Sequence, residues 1–250
     1  MFIVPASLPA EPLNPPVKLG DIEANPYICP RTDTVQKLAT ILDEKWVVHV
    51  RGTPSSGKSV LANLLSRYYS KRGVPVVFLN GWGKVSDPIT YLITKCEVRG
   101  YRGIEPHTLI NTNIVFIFDE AQQSYHDMEL WLGIIKTQSG SRGGPKFCLF
   151  SSYGSPTTGP TEYNVRSTPV HFGASQRISI TATAFVEVCL FYNPEEFEDV
   201  VTRICSDPTR SFALDPATRE YLYSITNGHP GATDALLYFI FEVCISCSMY

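Results

Sequence analysis

The sequence predicts an α/β fold, a mostly parallel sheet flanked by helices, with a small helical unit at the C-terminal end. Three observations predict it. Short apolar runs alternate with helical patterns from residue 46 to about residue 188, the signature of strand–helix–strand units. The strongest run, Ile114–Phe118, is apolar throughout, as in a strand buried on both faces of a parallel sheet. From about residue 190 the pattern turns helical.

Residues 1–30 read as an extended arm. Seven of the 19 prolines fall there (Pro5, Pro9, Pro12, Pro15, Pro16, Pro26 and Pro30), and proline fixes φ and biases the residue before it away from helix. Asp33 is placed to cap a helix over Thr34–Glu44, with Val35, Leu38, Ile41 and Leu42 on one face. Trp46–Val50 is the first strand run, Val60–Tyr69 a helix and Val74–Leu79 the second run. Asp87-Pro88 opens a helix to about Glu97, with aspartate as cap and proline in the first turn. Ile114–Phe118 is the third run, Met128–Lys136 is helical, Phe147–Phe150 is the fourth run and Arg177–Ile180 the fifth. Ser139–Gly144 is glycine-rich and reads as mobile, and Tyr153–Ala174 reads as a long loop of the kind that is often functional. Asn193-Pro194-Glu195-Glu196 makes a capping box, Asp215-Pro216 opens another helix, and Asn227-Gly228 closes it.

Composition sets limits. The chain has 250 residues, 44% apolar and 12% aromatic, enough for one core. Charged residues are 18%, below the usual ~25%, which argues against disorder and against a coiled coil. A net charge of −3 gives no global basic field for nucleic acid. The seven cysteines are sparse and odd in number, so an intracellular, reducing compartment is expected. Cys244-Ile-Ser-Cys247 lacks a second pair or a nearby histidine and reads as two thiols on a buried helix. Phe2-Ile3-Val4 ends at Pro5, short of a signal-peptide core. Ala235–Tyr250 is too short for the ~20 residues of a membrane span and contains Glu242. The chain ends in this apolar helix, which implies a piece of a longer protein or a lost downstream domain.

Gly52-Thr53-Pro54-Ser55-Ser56-Gly57-Lys58-Ser59 satisfies G-x-x-x-x-G-K-[ST], after a strand run and before a helix. Glycines let successive N–H groups turn inward on phosphate oxygens, and the helix starting near Val60 brings its positive end to the same point. Lys58 is placed for the β- and γ-phosphates and Ser59 for Mg²⁺. Asp119-Glu120 ends the third run, at the sheet edge where such folds bind ligands. Asp119 is the expected holder of the Mg²⁺ shell and Glu120 the base for an attacking water; the plain alternative is a strand end followed by a helix start. An Asp-Glu pair of this kind resembles that of P-loop NTPases of the additional-strand, catalytic-glutamate type, which implies the same arrangement here. The fourth run then inserts between the first and third, and Ser151 and Ser152 at its end are candidates to touch the γ-phosphate or the water, or simply begin a loop. Arg142, Arg166 and Arg177 are candidate fingers, in cis or from a neighbouring copy.

Tyr27-Ile28-Cys29-Pro30-Arg31 before a helix and the phosphate loop resembles the segment leading into AAA+ and STAND-type ATPases, which lies against adenine. This implies nucleotide contact for Arg31, although Cys29-Pro30 stands where glycine is usual. Asn227-Gly228-His229-Pro230-Gly231 resembles the Gly-x-Pro turn of the STAND lid, which implies that Pro230, with His229, senses the nucleotide; a capping role for His229 is the alternative. His49–Ser59, Ser151-Ser152-Tyr153-Gly154-Ser155-Pro156, Arg177–Ile180 and Pro194–Phe197 together resemble the P-loop domain of crinkler-type proteins. The resemblance implies an isolated NTPase module of an effector or regulator, with a homo-oligomer or a fused or partner effector domain as the candidate partners. Expected domains are the arm at 1–30, a nucleotide-binding domain at 31–188 and a helical lid at 189–250. The expected ligands are ATP or ADP with Mg²⁺, without a membrane. A Mg²⁺-dependent ATPase switch, a non-hydrolysing nucleotide-bound interaction module and a small-molecule kinase remain alternatives; the absence of Asn-Lys-x-Asp favours adenine over guanine.

Overall fold

The computed structural model describes residues 25–152, 170, 172–207 and 212–248. Most of the expected arm and of the 153–174 loop therefore lies outside the described residues. Helix α1 (Thr32–Lys45) begins earlier than an Asp33 cap predicts. Arg31 occupies the cap position in the left-handed region, φ 46, and Asp33 pairs with Lys37 at 3.0 Å inside the first turn. The chain continues as β1 (Val47–Gly52), α2 (Lys58–Lys71), β2 (Val76–Asn80), α3 (Pro88–Val98), the single turn α4 (Pro106–Leu109) and β3 (Val115–Asp119). Asp87 caps α3 as expected, its carboxylate accepting from the Ile89 and Thr90 N–H groups.

A 3-10 turn (Ala121–Ser124) follows β3. The helix expected at 128–136 is instead a π-helix over Glu129–Ile135 that runs into α5 (Lys136–Ser139). Its geometry is set by polar anchors. Asp127 accepts from the Leu130 N–H (2.9 Å) and the Trp82 indole (3.1 Å), while the Trp131 indole donates to the Ser124 carbonyl at 3.0 Å. Strand β4 (Lys146–Ser152) follows, then β5, which is only Arg177–Ile178. The C-terminal unit holds α6 (Pro194–Cys205), α7 (Pro216–Thr226) and α8 (Pro230–Ser248).

All strand pairs are parallel, in the order β2-β3-β4-β1-β5. The fourth strand thus lies between the first and the third. Successive side chains alternate between two buried layers. Val48, Val50, Ile117, Cys148 and Phe150 pack on Leu38 and Leu42 of α1 and Leu61 and Leu65 of α2. Val47, Phe116, Phe118, Phe147 and Leu149 pack on Leu92 of α3 and on Leu130, Trp131 and Ile135 of the π-helix. Two-sided burial is the reason the strands read as unbroken apolar runs.

Helices α6–α8 close around Phe197, Val201, Leu222 and Leu237. The capping box is reciprocal: the Glu196 N–H donates to Asn193 Oδ1 (2.8 Å), and the Asn193 N–H to Glu196 Oε2 (3.3 Å). Asn227, φ 50, ends α7. At Gly228, φ 71, a Cβ would lie 2.2 Å from the Tyr192 carbonyl oxygen, so only glycine fits this turn. Among the described residues no helix is long and apolar enough to cross a membrane.

Candidate nucleotide site

The phosphate loop joins the end of β1 to the start of α2. Ser55 (φ 59) and Gly57 (φ 83) turn the backbone through the left-handed region. Gly57 leaves the α2 N-terminus without a side-chain cap, so the first-turn N–H groups at Lys58, Ser59 and Val60 have no partner within the helix. Lys58 is buried, its Nζ donating to the carbonyls of Thr53 (2.7 Å) and Gly52 (3.4 Å). Burial pushes its ammonium below the usual lysine range, opposed by the charges of Glu120 and Asp119. Ser56 braces the loop from below, its hydroxyl donating to the Thr53 carbonyl at 2.8 Å. Pro54 and Thr53 are exposed at the loop tip. A Cβ on Gly52 would lie 2.3 Å from Leu190 Cδ1, so the linker to the lid packs directly on the loop.

Asp119 is buried at the end of β3. Burial pushes its carboxyl above the usual carboxylate range, and a hydrogen bond from the Ser59 side chain opposes this. The P-loop hydroxyl and the strand-end carboxylate therefore lie near each other. Hydroxyl plus carboxylate is a hard, all-oxygen donor set that fits Mg²⁺, an ion that keeps several waters and needs few protein ligands. Among the described residues no group of three or more His, Cys, Asp or Glu converges on one point. Glu120 follows in the left-handed region, φ 55, and accepts a hydrogen bond at Oε2 from Gln122 Nε2.

The lid reaches the same loop. The Gly231 N–H donates to the Ser55 carbonyl at 3.0 Å. Pro230 Cγ would lie 3.2 Å from a Cβ on Gly57, and a Cβ on Gly231 would lie 2.6 Å from Ser55 Cβ. Pro230 is thus seated on the phosphate loop. His229 caps α8, its Nδ1 accepting from the Ala232 N–H at 3.2 Å, and its ring lies 4.9 Å from that of Phe191.

Two expected site residues are engaged elsewhere. Arg31 is buried, and its guanidinium donates to the Leu190 (2.9 Å), Cys189 (3.1 Å) and Phe191 (3.1 Å) carbonyls and pairs with Glu196 at 3.0 Å. Tyr192 lies under it at 5.2 Å. It clamps the linker to the lid, where the sequence implied nucleotide contact. The Ser151 hydroxyl is fully buried and bonded to His49 Nε2 at 2.7 Å, in the layer of Trp131 and Phe172. Of the two serines, Ser152 remains half-buried at the strand tip, with its N–H donating to Gln122 Oε1 at 3.1 Å. Arg142 and Arg177 are exposed, and Arg166 lies outside the described residues.

His49 was missed by sequence reasoning because it sits inside an apolar run. Tyr125 also reaches its Nε2, at 3.2 Å. Burial first, then the charges of Arg51 and Arg177, push its imidazole down from 6.5 to about 3. Between those two values the unfolded chain binds a proton that the folded chain does not. Stability from this group is therefore complete above pH 6.5 and is lost as pH falls toward 3, at up to about 1.4 kcal/mol per pH unit. His49→Gln should flatten the acid limb of the unfolding midpoint between pH 6.5 and 4. An unchanged slope would assign that limb to other groups.

The strand order, with the glycine-lysine loop after β1, the acidic pair after β3 and β4 between them, defines a P-loop NTPase fold of the additional-strand class. The solved structure of the Walker-type ATPase PABY2304 of Pyrococcus abyssi is similar, with a TM-score of 0.52 at 14% identity over 89% of this chain and 74% of that one. A RuvB variant of Thermotoga maritima aligns with a TM-score of 0.46 at 15% identity over 87% of this chain, which spans 64% of the RuvB chain. No protein-family model and no curated protein sequence matches the chain.

Proposed function

We propose that this protein is a Mg²⁺-dependent ATP-binding ATPase that works as a nucleotide switch. The observation that carries the reading is that a complete phosphate loop lies close to the Asp119-Glu120 pair: the Ser59 side chain lowers the Asp119 carboxyl, and both carboxylates act on the Lys58 ammonium. In this reading the loop amides and Lys58 hold the phosphates, and Ser59 and Asp119 hold Mg²⁺, which neutralises phosphate charge when bound. Glu120 orients and polarises the attacking water, and Ser152 lies at the strand tip beside it. Residues 31–188 form the nucleotide-binding domain and 189–250 the lid, with Pro230 reading the occupied loop. The buried free cysteines, Cys29, Cys96, Cys148 and Cys205, suit a reducing, intracellular setting. In this reading the crinkler-like resemblance fits an NTPase module of an effector or regulator that acts with a partner domain or a second copy.

One observation favours a second reading. Pro230 and Gly231 close on the phosphate loop, the arrangement expected of a module that retains its nucleotide and presents a surface without turnover. Identifying the nucleotide that copurifies with the wild type and with Lys58→Ala tests binding. The expected result is adenine nucleotide in the wild type and a loss of about tenfold or more in the variant. Equal occupancy in both would remove the phosphate loop from the proposal. Phosphate release then separates the readings: slow turnover supports the ATPase, and tightly held ADP without release supports the module.

A further inference from the structure

The 3-10 turn after the acidic pair carries two glutamines that reach in opposite directions. Gln123 Oε1 accepts the Trp82 N–H at 3.3 Å, just beyond β2, and a Cβ on Gly81 would lie 2.6 Å from it. Gln122 faces β4, its Nε2 donating to the Glu120 carboxylate and its Oε1 accepting the Ser152 N–H at 3.1 Å. Glu120 itself stands in the left-handed region, φ 55, a conformation that a residue with a side chain holds only where its surroundings impose it. One planar amide thus spends its donor on the carboxylate and its acceptor on the strand tip.

We infer that Gln122 is a positioning residue for Glu120, setting the carboxylate against the tip of β4. The inference rests on the ATPase reading above and deepens it. Only an amide of this length meets both demands. Glutamate has no proton to give Glu120 near neutral pH, asparagine is shorter by one methylene, and methionine has neither a donor nor a strong acceptor. A base must lie within hydrogen-bond reach of the water it polarises, so a carboxylate free to change rotamer spends less time in place. The Gln122 side chain bonds Glu120 and the Ser152 N–H and not the phosphate loop or Asp119, so its loss should slow turnover and leave binding intact.

The test is a double-mutant cycle on the full chain: wild type, Gln122→Ala, Glu120→Gln and the double variant, with steady-state phosphate release and nucleotide affinity read for each. Gln122→Ala should lower kcat by about tenfold, a part of the general-base effect, with nucleotide Kd changed by less than about twofold. On the Glu120→Gln background it should change nothing, because a residue acting through Glu120 has nothing left to position. Gln122→Met keeps the length, loses the donated hydrogen bond and should behave as Gln122→Ala does, which carries the test if the alanine variant fails to fold. An unchanged or raised kcat, or the same further loss on the Glu120→Gln background, overturns the inference while ATPase activity stands. A wild type that releases no phosphate above Lys58→Ala overturns the ATPase reading and this inference together.

Discussion

Glu120→Gln is expected to bind nucleotide as the wild type does and to release phosphate at least about a hundredfold more slowly, the usual lower range for loss of a general base. The expectation follows from place and charge. Glu120 follows β3, next to the buried Asp119, and its backbone N–H donates to Asp119 Oδ1 at 3.1 Å. Its carboxylate is half-buried, beside Lys58 and bonded to Gln122. Glutamine keeps the shape and the acceptor oxygen but removes the charge and the proton-accepting capacity. The left-handed backbone at residue 120 is unchanged by the swap, so fold stability should hold. Single-turnover hydrolysis with matched nucleotide titrations measures both halves. Equal rates in variant and wild type would remove Glu120 from the base role.

Arg31→Met is expected to destabilise the protein by about 3–5 kcal/mol, the range for breaking a buried ion pair from one side. Glu196 is 8% exposed and already accepts from the Thr34 hydroxyl and the Asn193 N–H. Removing the guanidinium leaves this carboxylate without its cation and strips a donor from three consecutive carbonyls at Cys189, Leu190 and Phe191. Arg31→Lys should recover only a part of the loss, because one ammonium cannot serve the fork of partners that a planar guanidinium serves. Leu190 packs against Gly52, so the loosened linker should also weaken the lid's seat on the phosphate loop. Denaturant unfolding followed by far-UV circular dichroism measures the effect. A loss below about 1 kcal/mol, the level of a surface pair, would show that the clamp is not structural.

Much of the fold was legible because its signals are local. The cap residues Asp87, Asn193 and Asp215 accept hydrogen bonds from N–H groups two or three residues away, so adjacency alone reveals them. The strands announced themselves because burial on both faces leaves no polar side chain along most of their length. The phosphate loop was readable for the same reason: its chemistry is backbone geometry and eight consecutive residues. The π-helix was not legible, since its anchors reach back from Trp131 to Ser124 and from Asp127 to Trp82.

The sequence by itself determined the class of sheet, the phosphate loop and the acidic pair, because short-range spacing fixes where a backbone can turn and which charges end a strand. Tertiary structure alone decided what the remaining polar groups do. Arg31 finds Glu196 across 165 positions and His49 finds Ser151 across 102, and Gln122 finds Ser152 across 30. Each is a side chain whose meaning lies in the partner that packing brings to it. A buried donor or acceptor must be satisfied where the fold encloses it, and the chain's order does not say who will be there.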